Sequence, residues 1–479
     1  MIKSTRIRTV AGAVAAAALA GGCKNFLSTN DAINNPNVAT SATTAQRLTA
    51  VETNFQAIQT GDPARIIATW LNQFAGTDRQ YASLALYSYD EQTTDGVFAT
   101  LYAGGGLVDL RAIEQAADAV GDSTTAGIAR VMEGWEVGTA ADFYGNSPYS
   151  TAFNPGTPAT LDPQASLYTT AQGLFDRGIK QLQSGAGTGP LAADLYYSGD
   201  RAKWIAAAYT LKARYYLHTA EATGTASDGT PAFTASAYQS ALAAAQNGIA
   251  SAANDLRSYQ SSAQTEANLL YQFAYQQRPG YLSPNAYLVN LMTSRNDPRL
   301  TTYFQPASGQ TTIVGSTTSG TSGGPSANVA GFQSSTGIGS AAYRWRIVSY
   351  AENQLILAEA NYRLGNAAAA LTNYNNERTA AGYTAAAASL PAGAAGLQEI
   401  MTEKYIALVQ NPEVWSDYRR TCYPQLIPNG GASNKIPARF YYSYTERQTN
   451  PNIPAPNSQP ARNPNDPNPC YVGTRQTSN

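Results

Sequence analysis

The sequence predicts a mainly α-helical protein in which neighbouring helices pair and long irregular segments interrupt the pairs. Apolar residues recur at the 3.6-residue spacing of a helix through most of the chain. Two segments break this pattern: residues 307–340 are rich in Gly, Ser and Thr, and residues 450–479 are rich in Pro and Asn. Both low-complexity segments are expected on the surface, because loops of this length are usually functional or disordered.

The N-terminus has the features of a lipoprotein signal peptide over residues 1–22. Lys3, Arg6 and Arg8 precede an apolar, Ala-rich run, and small residues then lead to Cys23. The run is too short to span a bilayer, which takes about 20 apolar residues. We expect cleavage before Cys23 and acylation of its thiol, which would anchor residues 23–479 to a membrane. An ordinary secretory signal cleaved nearby is the alternative, and it would also export the chain.

The helices of the first half are predicted from apolar stripes, that is, from apolar residues that recur at helical spacing. These stripes are Leu48, Val51, Phe55 and Ile58; Ile66, Ile67, Trp70, Leu71 and Phe74; Val97, Leu101 and Val108; and Ile128, Val131, Met132 and Trp135. Asp62-Pro63 favours a helix start before the second stripe, because Pro fits the first helical turn. Residues 77–95 are polar and dense in Tyr without a clear period, which predicts a loop.

In the middle of the chain the helices come in adjacent pairs. Their stripes are Leu167, Ala171, Leu174, Phe175, Gly178 and Leu182; Trp204, Ala208, Leu211 and Tyr215; and Tyr238, Leu242, Ala245 and Ile249. A further apolar helix spans residues 350–364, ends at Gly365-Asn366, and is followed by another through Leu371 and Tyr374. Pairs of this length indicate tetratricopeptide-like repeats, here irregularly spaced and interrupted by long insertions within a single domain, residues 23–479.

The charge balance excludes one class of partner. Charged residues make up 13% of the chain, against about 25% in typical soluble domains. The 31 basic residues are balanced by 32 acidic ones and form no long basic run. This removes the electrostatic attraction that dominates nucleic-acid affinity, so no nucleic-acid partner is expected.

Few side chains of this sequence suit metal binding or nucleophilic catalysis. Cys422 and Cys470 remain after lipidation and are predicted to form a disulfide outside the cytoplasm, with two isolated buried thiols as the alternative. His218 is the only histidine and is predicted to be partly exposed near the end of a helix. Zinc sites and histidine-based triads need partners that this sequence lacks, and no phosphate-binding glycine loop occurs. We therefore expect no metal and no cofactor.

A glycoside hydrolase needs only two carboxylates about 5 to 10 Å apart, so the histidine count does not exclude one. Carboxylates are available in the Tyr-rich stretch at Asp78, Asp90, Glu91 and Asp95. Nothing in the sequence brings two of them to that geometry. A solvated acidic loop is therefore the favoured interpretation.

Two segments, residues 70–89 and 268–287, combine aromatic rings with amide and guanidinium groups. This is the mixture that carbohydrate sites use, because sugar C–H faces pack on rings while sugar hydroxyls bond to planar polar groups. The predicted ligand-binding residues are Trp70, Asn72, Arg79, Tyr81, Tyr87, Tyr89, Asn268, Tyr271 and Tyr281. Trp70 and Tyr275 also fit helical spacing, which favours a core position for both.

Four stretches resemble motifs of the SusD/RagB family. They are residues 141–149, 198–204, 296–300 with Tyr303-Phe304, and the helical pair that contains Tyr350-Ala351-Glu352, Ala358-Glu359-Ala360 and Asn376-Glu377-Arg378. Their order and spacing carry the resemblance. Residues 411–420 depart from the commonest form, which has a Gly-His-Arg-Trp run, so the chain looks like a divergent branch.

The resemblance implies a mainly helical fold with tetratricopeptide-like units around an irregular ligand-binding portion. It also implies a non-enzymatic, surface-exposed, lipid-anchored protein of the outer membrane. Such a protein would capture oligosaccharides or similar nutrients and pass them to a TonB-dependent SusC-type barrel as its partner. A surface glycoside hydrolase that uses an acidic pair, and a pure protein-assembly scaffold, are the alternatives from other classes.

Overall fold

Helices dominate the computed structural model, which describes residues 42–318, 323–430 and 435–466. In chain order they are α1 (Thr44–Thr60), α2 (Asp62–Trp70), α3 (Arg79–Ala85), α4 (Asp95–Tyr102), α5 (Leu107–Ala119), α6 (Ser123–Tyr144), α7 (Gln164–Ser184), α8 (Arg201–Leu217), α9 (Ala235–Ala245), α10 (Leu269–Tyr271), α11 (Ala286–Ser294), α12 (Leu300–Tyr303), α13 (Tyr350–Arg363), α14 (Ala367–Ala381), α15 (Ala394–Ala407), α16 (Glu413–Thr421) and α17 (Tyr444–Thr449). The prediction of a mainly helical fold is confirmed.

The strands are short and form two-stranded antiparallel ribbons. They are β1 (Phe74–Gly76), β2 (Ser147–Pro148), β3 (Leu161–Asp162), β4 (Glu221–Thr225), β5 (Pro231–Phe233), β6 (Leu256–Arg257), β7 (Leu282–Pro284), β8 (Phe304–Gln305), β9 (Gly331–Phe332) and β10 (Arg346–Val348). The pairs are β1–β7, β2–β3, β4–β5, β6–β10 and β8–β9. Short 3₁₀ turns lie at Leu191–Ala193, Ala252–Asn254 and Pro456–Ser458, and a π-helical segment at Gln272–Gln277.

Consecutive long helices pack against each other. Helix α6 packs against both α5 and α7, α8 against α9, and α13 against α14 and α15. Helix α9 also packs against α13, although more than 100 residues separate them in sequence. The approach of α6 and α8 is close, because a Cβ atom at Gly138 would lie 2.2 Å from the Tyr215 ring. The paired helices therefore form a continuous scaffold with an insertion between α9 and α13.

Local sequence signals explain where the scaffold helices begin. Helix α2 starts at Asp62 with Pro63 in its first turn, as the Asp-Pro pair predicts. Helix α8 is capped by Asp200, whose carboxylate accepts from the Lys203 backbone N–H at 3.2 Å, and Trp204 is buried on its inner face.

The Asp297-Pro298-Arg299 motif pairs locally beside the start of α12. Arg299 donates to Asp297 at 2.6 Å and to Glu377 of α14 at 3.0 Å. The motif therefore ties the start of α12 to the scaffold.

Two secondary-structure predictions were wrong. Residues 77–95 contain a helix, α3, because Asp78 caps it by accepting from the Arg79 backbone N–H at 2.9 Å. The stripe of Val97, Leu101 and Val108 belongs to two helices, α4 and α5, which the glycines of residues 104–106 separate. Val108 consequently lies on the exposed side of α5.

Neither low-complexity segment lies entirely on the surface. In the first, Phe332 and Ile338 are buried, while residues 319–322 lie outside the described range. In the second, most of residues 450–466 is exposed, but Asn463 is buried and its amide donates to the Asp142 carbonyl at 2.7 Å. Both segments thus combine exposed stretches with a few anchoring residues.

Several predictions concern residues beyond the described part of the chain. The signal peptide and Cys23 lie there, as does Cys470. Cys422 is buried and disulfide-bonded, and its pairing with Cys470 stays a prediction. Within the described residues, no helix combines the length and the apolar character needed to cross a membrane.

Candidate functional site

The two segments that the sequence singled out lie side by side. Strands β1 and β7 pair in antiparallel fashion, with Phe74 opposite Pro284 and Gly76 opposite Leu282. Beyond the ribbon, the Thr77 hydroxyl donates to the Gly280 carbonyl at 2.7 Å. Residues 70–89 and 268–287 therefore form one region, although about 200 residues separate them in sequence.

Trp70 and Asn268 require a correction, because the structure places both in the core. Trp70 is 0% exposed, donates its indole N–H to the Leu84 carbonyl at 3.0 Å, and packs its ring against Trp415. Asn268 donates to the Ile338 carbonyl at 2.6 Å and accepts from the indole N–H of Trp345 at 2.8 Å. Neither side chain has a face left for a ligand in this arrangement.

Asn72 and Tyr87 hold a neighbouring loop in place. The Asn72 amide donates to the Ile427 carbonyl at 2.9 Å, and the Tyr87 hydroxyl accepts from the Asn429 backbone N–H at 2.7 Å. Asn72 is buried and Tyr87 is half-buried. Both residues thus anchor the chain that follows α16, and Tyr87 retains an accessible edge.

Tyr89 lies in a cleft of about 300 Å³ that we call the tyrosine cleft. Its lining residues are Tyr89, Asp90, Glu91, Gln92, Tyr441, Tyr444 and Pro456. The Tyr89 hydroxyl donates to the Arg439 carbonyl at 2.7 Å, which fixes the ring, and the ring centroid is 5.0 Å from that of Tyr441. Tyr444 is 40% exposed, so the cleft offers ring surface to solvent.

The charged groups of the tyrosine cleft are largely paired. Glu91 is buried and accepts from Arg447 at 2.7 and 2.8 Å and from the Gln459 amide at 3.1 Å. Asp90 accepts from the Thr93 hydroxyl at 2.9 Å. The cleft therefore presents aromatic faces beside oriented carboxylate and amide groups, with Arg447 held by Glu91.

Sequence reasoning missed Tyr441 and Tyr444, which lie about 350 residues from Tyr89. A signal was present, because Phe440, Tyr441, Tyr442 and Tyr444 form an aromatic run without helical spacing. Phe440 and Tyr442 turn inward and are buried, whereas Tyr441 and Tyr444 face the cleft. Only the fold brings this run next to Tyr89.

A second cleft, of about 450 Å³, lies between the starts of α2 and α4 and the π-helical segment; we call it the helix-end cleft. Residues that line it include Asp62, Arg65, Thr93, Gly96, Gln272, Phe273 and Gln277. Arg65 is buried beneath it, 4.4 Å from the centre of the Phe273 ring.

Tyr81 supports the floor of the helix-end cleft. Tyr81 was predicted to bind ligand, but its ring is buried and has no face open to one. Its hydroxyl donates to Asp62 Oδ1 at 2.7 Å and accepts from Arg65 Nε at 3.3 Å. Burial raises the pKa of the Tyr81 phenol, which therefore stays a neutral donor. Tyr81 positions Asp62 instead of stacking on a ligand.

The remaining predicted residues are Arg79 at the start of α3, Tyr271 just before the π-helical segment and Tyr281 after it. Tyr271 and Tyr281 are half-buried and Arg79 is exposed. Tyr275 was predicted to be a core residue but is 37% exposed, because the π-helical turn at Gln272–Gln277 shifts it off the buried helical face. Its hydroxyl donates to the Phe332 carbonyl, and its ring lies 5.9 Å from Tyr271. Ligand binding by Arg79, Tyr271 and Tyr281 stays a prediction.

His218 lies in the core, not partly exposed as predicted. Its Nδ1 is 2.8 Å from Asp142 Oδ1, and its Nε2 is 3.0 Å from Glu413 Oε2. Ligand atoms of these three residues lie within 4.8 Å of one another, which is close enough for a metal ion. However, Lys404 and Arg214 each lie 3.6 Å from Glu413, so the group is a network of ion pairs with both signs of charge.

Comparisons with known proteins agree on one family. The SusD-like model described as "Starch-binding associating with outer membrane" matches residues 36–443. A SusD/RagB family protein from Bacteroides thetaiotaomicron is 20% identical over 91% of this chain and 98% of its own, with a TM-score of 0.70.

Two further similar structures are those of chitin-binding proteins. A chitin-binding protein is 22% identical over 84% of this chain and 94% of its own, with a TM-score of 0.67. A chitin-binding SusD homolog from Flavobacterium johnsoniae is 17% identical over 88% and 98%, with a TM-score of 0.66. At these identities the likeness shows a common fold. Among curated proteins no match is found.

Proposed function

The chain belongs to the SusD-like family described as starch-binding and associating with the outer membrane, and on this premise we propose that it captures oligosaccharides or similar nutrients at the cell surface. It is held there by acyl chains on Cys23. It delivers the ligand to a TonB-dependent SusC-type transporter, with which it associates. The family membership that the sequence motifs predicted supports each part of this proposal.

The tyrosine cleft is the observation that carries the proposal. Tyr441 and Tyr444 offer ring faces of the size that packs on the C–H face of a sugar. Asp90 and Gln92 lie beside them and can accept from or donate to sugar hydroxyls. An apolar surface with a few fixed polar groups is the usual composition of a small-ligand site. Tyr89, which the sequence analysis predicted as a ligand-binding residue, is half-buried and lines the same cleft.

The carboxylates of residues 77–95 favour binding over hydrolysis. Asp78 caps α3, and Glu91 is paired with Arg447. Asp95 accepts from the hydroxyls of Ser443 and Thr445; burial opposes ionisation, but these hydrogen bonds outweigh it and lower the Asp95 pKa. A glycosidase acid needs a raised pKa to stay protonated near neutral pH. Asp95 has the opposite environment, and Asp78 and Glu91 are engaged in structural contacts, so we propose binding without hydrolase activity.

Calorimetry on matched tyrosine variants tests the proposal. Maltoheptaose and chitohexaose are suitable probes, because starch and chitin appear in the descriptions of the family and of its relatives. Tyr444→Ala removes ring burial on the sugar and should cost about 1 to 3 kcal/mol of binding, roughly a 5-fold to 150-fold weakening. Its melting temperature should hardly change, because the side chain is largely outside the core.

Two controls separate binding from folding. Tyr259 is also 40% exposed and lines neither cleft, so Tyr259→Ala should bind as the wild type does. Tyr81→Ala deletes a buried ring and should cost about 3 to 5 kcal/mol of stability. Equal binding by wild type and Tyr444→Ala would refute the cleft assignment. Failure to bind any glycan would favour an assembly scaffold, and release of reducing sugar would favour a hydrolase.

A further inference from the structure

We propose that the glycan continues from the tyrosine cleft into the helix-end cleft, and that the helix-end cleft takes an uncharged sugar unit. The inference rests on the proposed function, since it concerns the same ligand. It adds a second subsite, a minimum ligand length and a charge preference. The ligand is therefore a neutral oligosaccharide chain, longer than the tyrosine cleft alone accommodates.

The two clefts adjoin along the chain. Gln92 lines the tyrosine cleft, and the next residue, Thr93, lines the helix-end cleft. Consecutive Cα atoms are about 3.8 Å apart, so a single turn of backbone separates the two walls. Asp90 fixes that turn, because its Oδ1 accepts from the backbone N–H groups of Gln92 and Thr93, both at 3.0 Å. A chain of sugars that passes over this turn meets a rigid ridge.

The polar groups of the helix-end cleft favour a ligand that donates hydrogen bonds. The Asp62 side chain is 52% exposed, and its Oδ1 accepts from Tyr81 and Arg65. Its Oδ2 is left for solvent or a ligand. Gln272 uses its amide N–H to donate to the Ala267 carbonyl at 2.7 Å, which leaves its carbonyl oxygen as an acceptor. Sugar hydroxyls are suitable donors for both oxygens.

The same groups disfavour an anionic ligand. Arg65 is the one basic residue among those that line the helix-end cleft. It is buried and donates to Asp62 at 3.2 Å, to Tyr81 at 3.3 Å and to the Leu269 carbonyl at 3.4 Å. A uronate or sulfate in this cleft would lie against the Asp62 carboxylate without a cation of its own. The Asp90 carboxylate has the same effect in the tyrosine cleft.

Gly96 allows the helix-end cleft to be filled without a clash. It lies in the first turn of α4 and lines the cleft, and a Cβ atom built there meets no atom within 4 Å. Gly96→Trp should therefore fold and occupy the cleft. Gly173 is the matched control: it lies within α7, far along the chain, and a Cβ atom there meets only the end of Arg177, at 3.7 Å.

Calorimetry with maltose, maltotriose and maltoheptaose, or with the equivalent chito-oligosaccharides, tests the proposal. In the wild type, affinity should rise with chain length and one long chain should bind per protein. Gly96→Trp should weaken heptaose binding about tenfold while disaccharide binding is unchanged, and Gly173→Trp should match the wild type at every length. Gln277→Trp, which fills the cleft from the opposite wall, should reproduce Gly96→Trp and guards against a folding defect.

The outcomes separate this inference from the proposed function. Suppose that Tyr444→Ala weakens binding, but that affinity rises with oligosaccharide length in Gly96→Trp and Gln277→Trp as it does in the wild type. The second subsite is then refuted, and the proposal of glycan binding stands. Two heptaose chains bound per protein would also refute a single spanning chain. Oligogalacturonide that binds as tightly as the neutral heptaose would refute the charge preference. If no glycan of any length binds the wild type, the proposed function itself fails.

Discussion

His218 should make the stability of the protein depend on pH. It is the only histidine, it caps the C-terminal end of α8, and it is buried between the carboxylates of Asp142 and Glu413. Burial disfavours the imidazolium, but the two carboxylates outweigh it and raise the His218 pKa to about 9. In the folded protein at neutral pH the ring is therefore a cation that joins α6, α8 and α16.

The direction and size of this pH dependence follow from the linkage between proton binding by His218 and the free energy of unfolding. The pKa of an unfolded histidine is about 6.5, lower than the folded value, so the folded state holds the proton more tightly. The stabilisation is fully present below pH 6.5 and is lost as the pH rises through about 9. At about 1.4 kcal/mol for each pH unit between the two pKa values, the loss is about 3 kcal/mol. Lys404 and Arg214, which face Glu413, remain charged over this range.

Urea unfolding of wild type and His218→Gln between pH 6 and 9.5 measures this loss. The free energy of unfolding of the wild type should fall by about 3 kcal/mol, mostly above pH 7. His218→Gln should be less stable at pH 6 and should lose about 3 kcal/mol less than the wild type as the pH rises to 9.5. The Glu114 carboxyl, whose pKa is raised to about 9 by burial and by Glu133, titrates in the same window in both proteins, so the difference between the two profiles reports His218. A flat wild-type profile, or the same slope in both proteins, would refute the assignment of an imidazolium between two carboxylates.

Two further predictions concern the cysteines. Cys23→Ser should keep the melting temperature of the domain but move the protein from membrane to soluble fractions, because acyl chains are the proposed anchor; a variant that stays tightly membrane-bound without its barrel would contradict this. Mass spectrometry without reduction should find a peptide pair linked through Cys422 and Cys470, and reduction should loosen the chain after Pro451 more than the helices. Complete alkylation of both thiols in unreduced protein would exclude the bridge.

The scaffold could be predicted because its signals are local. An Asp-Pro pair marks the start of α2, a capping Asp marks α8, and apolar stripes identify the helices between α5 and α9. Each of these features depends on residues within a few turns of one another. The loop prediction for residues 77–95 failed for a related reason: α3 is short and carries too few apolar residues for a stripe.

The candidate site was harder to predict from the sequence, because it depends on contacts between distant parts of the chain. Trp70 and Tyr81 are residue types of a sugar platform, but both are buried. Trp70 packs against Trp415 and Phe440, and Tyr81 packs against Phe273. Tyr275 fits helical spacing, yet a π-helical turn moves it to the surface. Tyr89 meets Tyr441 only through the return of residues 435–466. Composition identifies the residue types that bind sugars, whereas exposure is decided by tertiary structure.

Basic side chains are paired with carboxylates both in the helical scaffold and in the two clefts. Few residues are charged, and many of those are buried in ion pairs: Arg420 donates to Glu359 of α13 and to Asp417, both at 2.6 Å, and Arg214 holds Glu352. Breaking such a pair leaves a buried charge, at a cost of about 3 to 5 kcal/mol, so these contacts fix how the helices pair. The clefts follow the same pattern, since Arg65 is committed to Asp62 and Arg447 to Glu91. Because these guanidinium groups are already paired, they are not available to bind an anionic ligand. The cleft surfaces therefore suit a neutral ligand that packs on aromatic rings and forms hydrogen bonds through its hydroxyl groups.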